Sequence, residues 1–421
     1  MDGLTSGYAY TIYCANAIKP INPLTNYPPN PFLPPPHKSY STLFRFFILL
    51  LLLLILPDLY IWWNFTRTQT GILRTLLLAL PSLMALGCML LLICQVRAAT
   101  LMQLAFILLI CVAVPKLVFV LADIIGRGIC WHHPNMLPNV HKVATALAVG
   151  MAALQVYGTA WGWRKLQVEN TTLHIAGLPA AFKGYRIVQI SDIHLGTYSG
   201  DTSLMQNMVD SINQLTPDLI VFTGDMVNTA SSETLPYIKI LGKLHAPDGV
   251  MSVLGNHDYC MYHPGLSPQE RETEIRRIIR SQRIMGWQVL LNENRHIVRG
   301  DDTLYVAGVE NVGKPPFPTR GHLDKAMKNI PSQACTLLLS HDPWHWRHGV
   351  LKYPNIALTL SGHTHALQMQ VGSFSPAAWF MSEWGGLYTK GHQQLFVSTG
   401  IGGGVPYRLG AWPKIELITL M

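Results

Sequence analysis

From residue 185 to the C-terminus the chain repeats one device five times: a short apolar run that stops at a polar cluster. Run 185–190 leads to Asp192-Ile193-His194, and run 219–223 to Gly224-Asp225. Run 250–254 leads to Gly255-Asn256-His257-Asp258, run 336–339 to Ser340-His341-Asp342, and run 356–360 to Gly362-His363-Thr364-His365. Runs of this length bounded by Gly and Asp are too short for helices and fit buried strands. Five such strands are predicted to converge their polar ends at one edge of a sheet, where open α/β sheets carry their sites.

The residue types at those ends suit a pair of metal ions. Asp192 and His194 are two apart in extended chain and point the same way, and His363 and His365 repeat that spacing. Asp225 is a lone carboxylate after a glycine, suited to lie between two ions. Asn256 and His341 add one neutral donor each. Two divalent ions carry four positive charges; two Asp and one hydroxide cancel three, which leaves a site that attracts phosphate. Imidazole mixed with carboxylate suits manganese, iron or zinc better than magnesium or calcium. The bland alternative, ordinary polar loop residues, gives no reason for the pattern to recur at five strand ends.

In this order the motifs D-x-H, G-D, G-N-H-D, H and G-H-x-H make residues 166–421 similar to the calcineurin-like metallophosphoesterases. Within that family the chain most resembles the membrane-anchored bacterial envelope phosphodiesterases, which open with a segment such as Leu178-Pro179-Ala180-Ala181-Phe182-Lys183-Gly184-Tyr185-Arg186. The resemblance implies an α/β fold, a sandwich of two mixed β-sheets flanked by helices. It implies phosphoester hydrolysis by in-line attack of a hydroxide bridging two metals. It places Asp192, His194 and His365 on one ion, Asn256, His341 and His363 on the other, and Asp225 between them. It also implies that His257 is no ligand but reaches the scissile phosphate, steadying the transition state or protonating the leaving oxygen, with Asp258 orienting its imidazole. One departure stands near the end, where Pro413-Lys414-Ile415-Glu416 occupies a place that relatives tend to fill with Pro-Glu.

Composition sets this domain apart from what precedes it. Residues 1–165 hold 11 Lys/Arg and 3 Asp/Glu, so the whole +8 formal charge lies there, while 166–421 carries 20 of each. A catalytic domain without a basic footprint argues against nucleic acid as a partner. Residues 1–40 include eight prolines between Pro20 and Pro36 and read as an extended or disordered tail. In 41–165, apolar stretches over 43–63, 71–94, 101–125 and 143–161 are each near the ~20 residues that cross a bilayer as a helix. Trp62, Trp63, Trp131 and Trp161 sit at their ends, as interfacial aromatics do. Four spans put tail and catalytic domain on one side. Lys38, Arg45, Arg97, Arg164 and Lys165 flank that side against Arg67, Arg74, Arg127 and Lys142, which leans to the cytoplasmic face of a bacterial inner membrane. Lys116 and Asp123 fall in or near the third span; in the structural reading Asp123 lies close to an interface and Lys116 snorkels or pairs within the bundle, and in the functional one they handle a lipid headgroup. Seven cysteines show neither a disulfide framework nor a metal spacing, and Cys260 reads as a buried spectator.

After Trp163 the pattern alternates between strands and helices. Strands are expected at 166–175, 288–291, 295–298, 304–309, 395–399 and 416–420, with helices at 203–215, 233–244 and 268–285. Among residues outside the motifs, His263, His345 and His348 read as pocket wall or surface, and His132-His133 as interfacial. Gly400-Ile401-Gly402-Gly403-Gly404 precedes no helical pattern, so it is a turn beside the site rather than a dinucleotide loop. Arg408 suits either substrate phosphate or a structural role. Trp379, Phe380, Trp384 and Leu387 suit either core or an exposed lipid-facing loop. The functional expectation is a membrane-anchored phosphoesterase acting on a lipid-linked phosphodiester or pyrophosphate, for which UDP-diacylglucosamine is a candidate because some members of the family cleave it. A nucleotide phosphodiesterase and a non-catalytic membrane receptor are the rivals, the latter disfavoured because a receptor has no need of His257.

Overall fold

A continuous apolar strand is stable only where both of its faces are covered, and the computed structural model of the chain meets that condition with a double sheet. It describes residues 48, 51–67, 72–93, 99–263, 265–314, 317 and 319–421. The Pro-rich stretch 1–40, the start of the first expected span, and Lys38, Arg45 and Arg97 lie outside the described residues. One six-stranded sheet runs β1 (Gln167–Leu173), β12 (Lys414–Leu420), β2 (Arg186–Ile190), β3 (Leu219–Phe222), β4 (Val250–Ser252) and β5 (Gln288–Val289). The other runs β10 (Gly386–Lys390), β11 (Gln393–Val397), β9 (Ile356–Ser361), β8 (Thr336–Leu339), β7 (Asp302–Gly308) and β6 (Glu293–Arg299). Both are mixed. β12 is antiparallel to β2, β10 to β11 and β6 to β7, and the central strands are parallel.

The side-chain period of two splits each strand between two cores. Ile187, Leu219, Val221, Met251 and Val253 face Leu304, Val306, Leu337, Leu339, Leu358 and Leu360 between the sheets. Val188, Ile190, Ile220 and Phe222 pack instead beneath helix Ser203–Gln214, which buries Leu204, Met205, Met208, Val209 and Ile212. Ala307, Leu338 and Val397 do the same on the other sheet, under Trp346 and Val350. Each such side chain contributes about 1.5–3 kcal/mol by leaving water.

Two expectations are corrected. The five strands do not share one sheet: β2, β3 and β4 lie in the first, β8 and β9 in the second. Their carboxyl ends open on a common rim, and there Gln189 Nε2 donates to the Ser361 carbonyl across the sandwich at 2.8 Å. The helix expected over 233–244 is a 3₁₀ stretch, Ser231–Tyr237, followed by one α-turn, Ile238–Leu241. Pro236 removes a backbone donor there. Glu233 turns its carboxylate back to accept N–H groups from Gly196, Asn228, Thr229 and Ala230. Helix Pro268–Ile284 forms where expected, closed at its start by reciprocal Ser267 and Glu270 bonds.

Helices Leu51–Thr66, Ile72–Ile93, Leu101–Ile129 and Leu137–Ala160 fall in the four expected spans. Among the described residues, Leu101–Ile129 and Pro134–Arg164 are long and apolar enough to cross a membrane. Lys116 is paired inside the bundle: its Nζ reaches Asp58 Oδ1 at 2.5 Å, the Leu78 carbonyl at 2.7 Å and Ser82 Oγ at 3.0 Å. Asp123 is fully buried and accepts from Tyr60 and Arg127, both at 2.7 Å, with His141 at 3.4 Å. The pairing expected of Lys116 is thus present, and Asp123 is paired within the bundle as well. The bundle also docks on the double-sheet part of the chain. Phe106, Ile110 and Cys111 share an apolar cluster with Met369, Val405, Tyr407 and Leu409. Tyr407 donates its hydroxyl to Gln155 Oε1 at 2.7 Å, and Arg408 donates its N–H to the Gly158 carbonyl at 3.2 Å.

Candidate metal centre

Each predicted ligand stands on the turn that ends its strand, and five of the seven ligand residues are left-handed. Asp192, His194, Asp225, His363 and His365 have φ of 52°, 52°, 60°, 75° and 50°. Asp and His are among the residues that tolerate this region, at about 1–2 kcal/mol each. Two glycines let the turns close on one another. A Cβ on Gly255 would lie 2.2 Å from Asp225 Oδ1, and one on Gly362 would lie 2.2 Å from Asp192 Oδ2. Asp192 ties the rim together by accepting the His363 N–H with both oxygens, at 3.1 and 3.0 Å.

The seven predicted ligands come together in two groups that share an oxygen. In the first, His194 Nε2 and His365 Nε2 are 3.2 Å apart, Asp192 Oδ1 is 3.5 Å from His365 Nε2, and Asp225 Oδ2 is 3.6 Å from His194 Nε2. In the second, His341 Nε2 lies 3.2 Å from the same Asp225 Oδ2, 3.1 Å from Asn256 Oδ1 and 3.3 Å from His363 Nδ1. Ligand bonds of about 2.0–2.2 Å give separations of this size between neighbouring donors.

Hydrogen-bond accounting tests whether a cation fits. His341 Nδ1 is committed to the Thr223 carbonyl at 2.8 Å, so Nε2 is its inward atom. Asn256 donates its amide to the Tyr262 hydroxyl at 3.2 Å, which turns Oδ1 inward. Asp225 Oδ2, Asn256 Oδ1, His341 Nε2 and His363 Nδ1 then converge on one point, and only positive charge there, a proton or a cation, satisfies their lone pairs. Burial pushes the His341 imidazole down, but Asp225 outweighs it and raises the group to about 10, so the cluster draws positive charge to this point. Burial likewise pulls Asp225 up, and His341 and His257 overcome it, holding the carboxyl well below its ordinary value. Burial drives His194 down to about 3, and His365 well below its usual range, which makes both neutral lone-pair donors. Burial also lifts Asp192 to about 6. Buried acceptors short of positive charge, with neutral imidazoles beside them, fit divalent ions.

His257 belongs to neither group. It is half-buried, its ring centroid 4.6 Å from that of His194, and its Nδ1 lies 2.8 Å from the Asn228 carbonyl. The expectation that Asp258 orients this imidazole is corrected. The Asp258 carboxylate accepts instead from four backbone N–H groups, those of Asp225, Met226, Val227 and Gly255, at 2.9–3.3 Å. It braces the Asp225 turn against the Asn256 turn, and the orienting group is a main-chain oxygen. Sequence reading also passed over Tyr262, Glu233 and Asp342, whose Oδ2 is 3.8 Å from His363 Nε2. Only Asp342 carried a signal, as the neighbour of His341.

The remaining candidates sort by burial. Arg408 is buried and gives its guanidinium to the carbonyls of Thr399, Gly402, Ala411 and Trp412, a structural clamp on the 399–412 loop. A Cβ on Gly400 would meet Asp192 Cβ at 2.7 Å, so that glycine turn does lie beside the site. Cys260 is buried, which raises its thiol to about 12. His345 is buried against Ser340, whereas His348 stacks on Trp344 with centroids 3.9 Å apart. A cleft of about 480 Å³ reaches His363, lined among others by Lys314, Phe317, Trp344, Arg347 and Phe380. Trp379, Phe380 and Leu387 are exposed and Trp384 half-buried, so this loop is not core.

Known proteins share these features. Residues 185–367 match the family described as "Calcineurin-like phosphoesterase", and residues 44–165 that described as "Probable Calcineurin-like phosphoesterase, transmembrane domain". The chain is 28% identical over 280 residues to "Transmembrane protein with metallophosphoesterase domain" of Danio rerio, covering 64% of this chain and 60% of that protein. It is 30% identical over 292 residues to "Uncharacterized metallophosphoesterase YkuE" of Bacillus subtilis (strain 168), covering 65% of this chain and 93% of that one. It is 26% identical over 316 residues to "UDP-2,3-diacylglucosamine pyrophosphatase LpxG" of Chlamydia trachomatis, covering 61% and 92%. The chain thus spans less than two thirds of the length of its Danio rerio relative.

Proposed function

The chain belongs to the calcineurin-like metallophosphoesterase family, and on that premise we propose that it is a membrane-anchored hydrolase of a lipid-linked phosphodiester or pyrophosphate. The observation that carries the reaction class is the shared oxygen: Asp225 Oδ2 lies 3.6 Å from His194 Nε2 and 3.2 Å from His341 Nε2. In this reading Asp192, His194 and His365 hold one ion, Asn256, His341 and His363 the other, and Asp225 both. Two divalent ions of manganese, iron or zinc would supply Lewis acidity, an activated water and charge for the phosphate. The rest belongs to the chain. His257, held through Nδ1 by the Asn228 carbonyl, presents Nε2 to a phosphate oxygen or gives its proton to the leaving oxygen. Asp258 acts only through the turns that it braces.

The substrate class rests on the membrane region, residues 41–165 in this reading, and on the exposed aromatic loop of the catalytic domain, residues 166–421. The Chlamydia relative is named as a pyrophosphatase of UDP-2,3-diacylglucosamine, and an acylated nucleoside-diphosphate sugar joins both features. One observation favours a nucleotide alternative: Trp344 and His348 stack flat at the mouth of the cleft, a surface that suits a base. The test is metal analysis of the full-length protein with a paired assay. About two ions per chain, with faster hydrolysis of the acylated pyrophosphate in vesicles than of the soluble UDP-sugar, supports the lipid reading. The reverse preference supports the nucleotide alternative, and no metal-dependent turnover on either rejects both. We place the catalytic domain on the cytoplasmic face of a bacterial inner membrane; reporter fusions at Ser39 and Met421 should both read that compartment.

A further inference from the structure

Exposed apolar side chains on a catalytic domain normally stand singly, and a contiguous patch marks a contact surface. Val168, Leu235, Ile284 and Val298 are of the single kind. Segment 367–380 is different. Leu367, Val371, Phe374, Trp379 and Phe380 are 41%, 77%, 47%, 71% and 70% exposed. Val371 and Phe374 exchange backbone hydrogen bonds at 2.8 and 3.0 Å, and the Phe374 and Trp379 ring centroids are 5.6 Å apart. Val371, Phe374 and Trp379 therefore form one tip, with Leu367 before it and Phe380 after it in the chain.

The root of that tip lies at the membrane junction. Met369 belongs to the apolar cluster that joins Phe106, Ile110 and Cys111 of the third helix to Val405 and Tyr407. Gln370 donates its N–H to the Leu409 carbonyl at 2.9 Å, and Gln368 Nε2 donates to the Val405 carbonyl at 3.1 Å. On the fourth helix beside this strip, Tyr157 packs with Trp161 and Trp412 at 6.1 and 6.0 Å, and Lys165 Nζ lies 4.7 Å over Trp412. Such aromatic and basic belts mark where a helix leaves the bilayer. Val371 is two residues from Met369, a reach of about 7 Å, so the tip starts beside the junction between the helices and the domain. Its other end is the site. Ser375 Oγ donates to the Ala366 carbonyl at 2.7 Å, next to His365, and Phe380 lines the cleft that reaches His363.

We propose that segment 371–380 is a membrane-seating loop. Its aromatic side chains enter the headgroup–acyl boundary of the bilayer that holds the helices, and they set the mouth of the cleft against that leaflet. An acylated phosphoester then reaches the metal centre with its chains still in lipid. The seat rests on the packing of 367–380; only its consequence for capture rests on the lipid-linked reading above.

The test uses full-length protein, one copy per nanodisc of phosphatidylethanolamine and phosphatidylglycerol. Subtracting the emission of Trp379→Phe from wild type isolates Trp379. The expected difference spectrum is blue-shifted, quenched at least about twofold by lipid brominated on its acyl chains, and untouched by aqueous iodide. A Trp379 quenched by iodide and indifferent to bromolipid overturns the proposal. So does one shielded only when a nanodisc holds two copies, which would assign the tip to a second chain. For capture, Phe374→Ser/Trp379→Ser should keep the wild-type rate on bis(4-nitrophenyl) phosphate and lose about tenfold in kcat/KM on an acylated pyrophosphate in the nanodisc; unchanged rates on both overturn the capture role. Fluorescence needs no turnover. An inactive protein with a bromolipid-quenched Trp379 would refute the hydrolase reading alone, and an active one with an iodide-quenched Trp379 the seating loop alone.

Discussion

His257 and Asp258 are adjacent in the chain and opposite in task. The first lies beside His194 with one nitrogen held by a carbonyl; the second is buried among four backbone N–H donors. His257→Ala is expected to keep the metal content and lose roughly 10²–10⁴-fold in rate. The loss should shrink for substrates with good leaving groups if the imidazole is the acid; an undiminished rate would remove it from the mechanism. Glu416 carries a different prediction. It is buried with Oε2 lacking a partner, and burial raises its carboxyl to about 8 from 4.5. The folded chain thus holds that proton more tightly than the unfolded one, so its contribution to stability is full below 4.5 and lost as pH rises towards 8. Glu416→Gln should match wild type in thermal unfolding near pH 4.5 and melt higher at pH 8. A gap that stays constant with pH would show that Glu416 is ionised and paired in the fold.

At the scale of elements, the site is made by turns rather than by strands. Strands β2, β3, β4, β8 and β9 supply only direction; left-handed residues and close glycines aim the donors across the rim. Gly362 shows how little room is left, since a Cβ would lie 2.0 Å from Ser191 Oγ and 2.2 Å from Asp192 Oδ2. Gly362→Ala should therefore displace Asp192 and lower bound metal from about two ions per chain towards one, with far-UV circular dichroism unchanged. Full metal content in that variant would mean that the rim can shift to admit a methyl group. The brace from Glu233 belongs to this scale too. It holds the 228–230 loop whose carbonyl orients His257, and it does so by breaking the helical pattern that its own segment otherwise suggests.

For the whole molecule, the membrane helices are more than a tether. The third and fourth pack on Val405, Tyr407 and Arg408, and the 399–412 loop that follows Gly400 beside Asp192 is pinned between them and the guanidinium of Arg408. Gly158 is the tightest contact on the fourth helix that a small change can test, its added Cβ falling 2.6 Å from the Tyr407 ring. Gly158→Leu should cost about 1–3 kcal/mol of overpacking and lower the melting temperature of the full-length protein by several degrees, with membrane extraction unchanged. An unaltered melting temperature would mean that bundle and catalytic domain are joined only through the chain.

The sequence by itself determined the family and the local elements that carry its motifs. A strand covered on both faces must be apolar throughout, so runs such as 336–339 announce themselves, and so do the polar residues that end them. Helical spans are equally plain, because hydrocarbon tolerates little else. Only the tertiary structure decided which sheet each strand joins, since a strand buried on both faces reads the same in either. Only it decided that Asp258 braces the Asp225 turn, that an Asn228 carbonyl holds His257, that Asp58 in the first helix answers Lys116, and that Trp379 is exposed while Arg408 is not. The reason is separation along the chain. His194 meets His365, 171 residues away, and Gln189 meets Ser361, 172 away; contacts across such distances leave no periodic trace, and those made through main-chain atoms leave no trace in residue type at all.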